Sequence, residues 1–399
     1  MLHYLPSEAA MNRYAAAVAH AERFNDFIDL SNTSFSACGW RPPLPAIRRG
    51  FENYLNHSGY IADPAGSISA RQAIAEYYRR RKISLSPDEL ILTAGTSEAF
   101  SLIVLSATEP GDTVLLPLPG YPLFEDILRM HNRLPRFYPL LYNHDGWYLD
   151  PHLLEDSVDT RTRFIMLISP NNPTGWVMSG EEMRAVQEVC RRNSAGLIWD
   201  EVFAEYMHSK KPDSNSPYEL LSGAEGTEIE TFLLGGISKP FLAPELKCGW
   251  VAARCSDTVR EDMLIKNDLF LSISGPTQHC VPELLQLSPA PAAEAAVHVE
   301  RMARLLPEII PSGWRVIPQQ GGIHAVVTRE TSRSNGNDED FSILAAETRH
   351  VSLQPGYLYG FDDHPAGRNP HWVVSLLVSE KQQQEAWRRL RLIEAKAEY

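Results

Sequence analysis

Through the middle of the chain, short apolar runs alternate with longer stretches of helical period. Residues 90–93 read as a strand and 97–107 as the helix after it. Residues 112–116 read as a strand, followed by a helix at 124–130. Residues 163–168 form the next predicted strand and 180–192 the next helix. Residues 195–199, 231–234 and 248–253 are further strands. This alternation predicts a mostly parallel sheet with helices on both faces. Ligands on such sheets sit at the carboxyl ends of the strands.

The last hundred residues follow another pattern. Residues 292–305 are strongly helical, 322–327 and 372–377 are strand-like, and 381–396 form a charged amphipathic helix. This predicts a smaller α+β lobe, with the N-terminal 45 or so residues packed on it. Residues 1–25 carry Glu8, Arg13, Glu22 and Arg23 among apolar positions, which reads as a surface amphipathic helix and not a signal peptide. Residues 208–228 are the most loop-like stretch.

Composition narrows the function classes. The 399 residues are 44% hydrophobic and 22% charged, the balance of an ordinary globular protein. Fifty acidic against 37 basic residues give a net charge of -13, which argues against nucleic acid as a partner. No apolar run reaches the ~18 residues of a membrane helix. The five cysteines are scattered and form no CxxC pair. They read as reduced thiols of a cytoplasmic protein, and no Cys/His cluster has metal-ligand spacing.

Four polar signals fall at predicted strand ends. Gly95-Thr96-Ser97 follows the first strand and opens a helix, whose free N–H groups suit a phosphate; a plain helix cap is the simpler reading of this motif alone. Ser169-Pro170-Asn171-Asn172-Pro173-Thr174-Gly175 is a rigid turn. Asp200-Glu201 ends an apolar strand, where a carboxylate needs a cationic or N–H partner. Gly235-Gly236-Ile237-Ser238-Lys239 places a lysine among small residues at a strand end, where burial makes an amine nucleophilic.

In this order the motifs resemble the aminotransferase class I/II family, the fold-type I pyridoxal-phosphate enzymes, from about Leu30 to Leu392. The resemblance implies a large domain at 46–280 with a mostly parallel seven-stranded-type sheet, and a small α+β domain made of 1–45 and 281–399. It implies pyridoxal 5'-phosphate as cofactor, an amino acid as substrate and a homodimer with shared sites. Lys239 matches the Schiff-base lysine, Asp200 the partner of the pyridine nitrogen, and Asn172 the donor to the ring oxygen. Tyr121 matches the stacking aromatic residue, and Gly95, Thr96 and Ser97 match the phosphate loop, completed by Ser238 and Lys247. Tyr60 matches the tyrosine that reaches the neighbouring subunit's phosphate. Ser34 and Trp40, in a segment that often covers the family's site, are candidate substrate contacts. The activity implied is transamination at the α-carbon; intact Asp200, Asn172 and Lys239 argue against a binding protein that has lost catalysis.

Three positions depart from the family pattern. Lys247 stands where arginine is usual and cannot clasp a phosphate with two parallel N–H bonds. Phe203 replaces a tyrosine whose hydroxyl would reach the ring oxygen. Val373 occupies the place of the arginine that grips the substrate's α-carboxylate. Either another cation, with Arg368 a candidate, or neutral donors must take that carboxylate. With the carboxylate less firmly fixed, β-elimination from an S-linked cysteine or decarboxylation becomes the alternative to transamination.

Overall fold

The computed structural model describes residues 12–57, 62–208, 229–271, 273–287, 290–329, 337–365 and 369–397. In chain order the strands are β1 (Ile28–Asp29), β2 (Leu90–Thr93), β3 (Thr113–Leu118), β4 (Leu134–Tyr142), β5 (Trp147–Leu149), β6 (Thr162–Ile168), β7 (Gly196–Asp200), β8 (Thr231–Gly236) and β9 (Gly249–Arg254). After these come β10 (Trp314–Val316), β11 (His324–Arg329), β12 (Val351–Ser352), β13 (Gln354–Pro355) and β14 (His371–Ser375).

The large sheet has the order β2-β9-β8-β7-β6-β3-β4-β5. Pairings from β8 through β7, β6 and β3 to β4 are parallel, whereas β9 is antiparallel to both its neighbours. The sheet is therefore eight-stranded where seven strands were expected, because β5 returns from β4 as a short antiparallel edge strand.

Side-chain alternation explains why these runs are apolar throughout. Ile165, Leu167, Leu197 and Trp199 enter one core, and Phe164, Met166, Ile168 and Ile198 enter another on the opposite face. Helices cover both faces, so nearly every position of the central strands β3, β6, β7 and β8 sees protein. The helix Gly180–Asn193 shows how local chemistry sets an element's start. Ser179 and Glu182 form a reciprocal capping box, and the same carboxylate accepts Leu149 N–H at 2.8 Å.

A second sheet has the order β10-β11-β14-β13 and is antiparallel throughout. Its outer face packs into a third core built on Trp314, Trp372 and Trp387. Near the N-terminus, β1 pairs in parallel with β12, and the helix Arg13–Ala21 packs against the helix Asp338–Arg349. The expected N-terminal helix thus begins at Arg13, capped by Asn12, whose side chain accepts Ala15 N–H at 2.7 Å. The loop-like stretch at 208–228 lies, apart from His208, outside the described residues.

Candidate active site

The polar signals converge because β2, β7 and β8 end at the same edge of the large sheet. A cavity of about 560 Å³ opens there, lined by Gly95, Thr96, Ser97, Tyr121, Asn172, Asp200, Phe203, Ser238, Lys239 and Lys247. Residues far apart in the sequence therefore meet in one space.

The loop after β2 is held at very close quarters. Gly95 has φ +151°, and a Cβ on Gly249 would lie 2.6 Å from the Gly95 carbonyl carbon. Glu98 accepts the Ala94 N–H, and Thr93 Oγ1 donates to Gly95 O at 2.9 Å. Gly95 gives the helix Thr96–Ala107 no side-chain cap, so its first N–H groups face the cavity end unsatisfied by a cap.

The Asn-Asn-Pro-Thr-Gly turn is braced from within. Thr174 Oγ1 donates to Asn171 Oδ1 at 2.8 Å, and Gly175 N–H donates to Asn171 O at 2.8 Å. Those bonds fix the backbone and leave the next side chain available. The Asn172 amide lines the cavity, and its buried Oδ1 has no hydrogen-bond partner among the described residues.

Asp200 is 3% exposed, and its carboxylate accepts one bond among the described residues, from Val202 N–H at 2.9 Å. Burial pushes its pKa up to about 7, and Glu201 adds to the rise against the pull of the Val202 N–H. Glu201 points away from the cavity into a bidentate pair with Arg81, at 2.8 and 3.0 Å. Burial, then the nearby Lys247, lower the pKa of Lys239 from the ordinary lysine value. Its Nζ lies 5.4 Å from the Phe35 ring centre and 5.6 Å from that of Phe203. Phe203 thus presents a ring face to the amine where a tyrosine hydroxyl is expected.

The remaining expected residues are placed differently. Thr33 lines the cavity and Phe35 flanks Lys239, whereas Ser34 is exposed, beside Ser36 at 3.2 Å. Trp40 packs near His298, with ring centres 5.6 Å apart, away from the cavity wall. Tyr60 and Arg368 lie outside the described residues. Val373, the position where an arginine is expected, is completely buried in the core shared with Trp147 and Phe361.

Three cavity residues had no motif to announce them: His324, Gln354 and Tyr359. The one sequence signal for His324 is a polar residue just before the apolar run 325–327. Gln354 and Tyr359 come from 30 or more residues further along and reach the site only through the second sheet.

The family model for aminotransferase class I and II matches residues 55–389. The chain belongs to that family. Its enzymes depend on pyridoxal phosphate. The chain is 34% identical over 315 residues to nicotianamine aminotransferase 1 of Oryza sativa subsp. japonica, a match covering 74% of this chain and 61% of that protein. It is 30% identical over 198 residues to the S-alkyl-thiohydroximate lyase of Arabidopsis thaliana, covering 49% of this chain and 41% of that one. Both relatives are thus longer than the part this chain spans. Among solved structures, an alanine aminotransferase from Pyrococcus furiosus superimposes with a TM-score of 0.85 at 21% identity, over 98% of this chain and 100% of that one.

The site residues fit the family's cofactor on their own chemistry. A buried carboxylate with no cation beside it among the described residues suits a protonated ring nitrogen, and the Asn172 amide in the cavity can offer its N–H bonds to a ring oxygen. A desolvated amine suits an aldehyde, and an uncapped helix N-terminus with Ser97, Ser238 and Lys247 suits a phosphate.

Proposed function

We propose that this chain is a pyridoxal-phosphate enzyme that transaminates an amino acid at its α-carbon. The observation that carries the reading is the placement of Lys239, Asp200 and Asn172 around one cavity, with the amine desolvated and no cation beside the carboxylate among the described residues. Asp200 would hold the ring nitrogen, Asn172 the ring oxygen, and Gly95, Thr96, Ser97, Ser238 and Lys247 the phosphate. Tyr121, 40% exposed beside Phe124, would cover one ring face. Bound there, pyridoxal phosphate supplies an electron sink that weakens the bonds at the substrate's α-carbon.

The chain's own groups do the rest. Lys239 Nζ would hold the cofactor's aldehyde carbon, and as a free amine it would be the base for the substrate's α-proton. Its lowered basicity leaves a larger share of neutral amine at neutral pH, as a general base requires. Asp200 would keep the ring nitrogen cationic. Phe203 and Phe35 keep water from the amine.

A second reading, β-elimination or decarboxylation on the same scaffold, is favoured by Val373. With no guanidinium on β14, the α-carboxylate is held less rigidly and the choice of α-bond is less fixed. The two readings separate when the loaded enzyme meets single amino acids with and without 2-oxoglutarate or pyruvate. Turnover that needs the acceptor supports transamination. Pyruvate, ammonia, thiol or carbon dioxide released without it supports the second reading. Lys239→Ala should lose the cofactor's visible absorption and lower turnover by ~10³-fold or more; unchanged turnover overturns both.

The proposal includes the organisation expected from the sequence, a large unit at 46–280 and a small unit of 1–45 with 281–399. It also includes a homodimer. Phe51, Tyr54 and Leu55 on the helix Leu44–Asn56 are exposed apolar side chains, as are Leu269, Phe270 and Leu271, and Gly275 sits against the Tyr54 ring. A second copy of this chain is the partner that suits such exposed side chains.

A further inference from the structure

The second sheet carries polar side chains beside the position where an arginine is expected. In β14, Val373 and Ser375 share one face. His324 of β11 pairs directly with Ser375, and Gln354 of β13 pairs directly with Val373. Directly paired residues point to the same side of a sheet. His324 and Gln354 therefore flank the Val373 position from the two neighbouring strands, on one face. Both line the cavity that holds Lys239, while Val373 itself is sealed into the core.

Resting on the reading of this cavity as an amino-acid site, we propose that His324 and Gln354 form a neutral hydrogen-bonding cradle for the substrate's α-carboxylate. Tyr359 is the positioning residue. Its hydroxyl donates to Gln354 Oε1 at 2.5 Å, which leaves the two N–H bonds of the Gln354 amide to face the cavity. His324 is 5% exposed and beside Lys239, so its ring is uncharged at neutral pH; burial, then Lys239, push its pKa down to about 3. A neutral imidazole still offers one N–H to a carboxylate oxygen. Two or three neutral donors then replace a bidentate guanidinium. The carboxylate is recognised, but more weakly and with more rotational freedom than an arginine allows.

The test compares two probes on the cofactor-loaded enzyme by calorimetry. 2-Methylalanine carries an amine and a carboxylate and has no α-proton to lose; isopropylamine is the same skeleton without the carboxylate. Wild type should bind 2-methylalanine at least ~10-fold tighter, the worth of one or two hydrogen bonds to a charged group. His324→Phe, which keeps an aromatic ring without a donor, and Gln354→Glu, which keeps the shape and adds a negative charge, should each cut that ratio about tenfold and leave isopropylamine affinity in place. Tyr359→Phe should reduce the ratio by a smaller factor with the visible band unchanged. A wild-type ratio near one, or a ratio that survives both His324→Phe and Gln354→Glu, overturns the proposal. Absence of a visible cofactor band in wild type would instead overturn the underlying reading of the cavity, so the two failures are distinct.

Discussion

Asp200 couples the site to stability through its proton. In the cofactor-free protein its pKa is about 7, against about 3.9 in an unfolded chain. Between those values the folded state binds more protons than the unfolded state, so stability falls as pH rises and levels off above about 7. Asp200→Asn removes this dependence. Thermal melts of the cofactor-free proteins should show the variant more stable at pH 8, by on the order of a few kcal/mol, with the advantage shrinking as pH falls toward 4. Equal melting temperatures at both ends would remove the argument for a desolvated carboxylate. Phe203 makes a second prediction. Phe203→Tyr restores a hydroxyl close to the Lys239 amine, and the pH at which the cofactor's visible band shifts should drop in a spectrophotometric titration. No change would mean the ring at 203 does not face the cofactor's oxygen.

Elements place these residues, and two close contacts decide how well. The loop after β2 can approach β9 because Gly249 lacks a Cβ; an added one would meet the backbone of Gly95 and Thr96 at 2.6–2.8 Å. Gly249→Ala should displace that loop and weaken retention of pyridoxal phosphate about tenfold or more, read by dialysis and absorbance. The helix Ile68–Arg80 is tied to the end of β7 by the ion pair Arg81–Glu201, in which Glu201 is 4% exposed. Arg81→Met leaves that buried carboxylate without its cation, and chemical denaturation should show a loss of about 3–5 kcal/mol. These two contacts join elements far apart in sequence, and neither is visible in a hydrophobic pattern.

At the scale of the whole molecule, the exposed apolar side chains near Tyr54 and Phe270 predict self-association. Sedimentation should show a dimer, and Leu55→Glu with Phe270→Glu, at positions 76% and 72% exposed, should shift it to monomer with little effect on the fold. A wild-type monomer would remove the shared-site arrangement. The central strands and the helices between them were legible because each strand is buried on both faces and so reads as an unbroken apolar run. The strands β4 and β5 and the helices Leu44–Asn56 and Ile68–Arg80 were not read, since half-exposed edge and surface elements carry a mixed pattern.

The order of motifs alone determined the family and pointed to Lys239, Asp200 and Asn172, because backbone turns at strand ends demand particular residues at fixed spacing. It also determined that Val373 is not an arginine. Only the tertiary structure decided that His324 and Gln354 stand on either side of that valine. Cross-strand pairing brings residues 324, 354 and 373 to one face, and pairing between distant strands leaves no local trace in the chain.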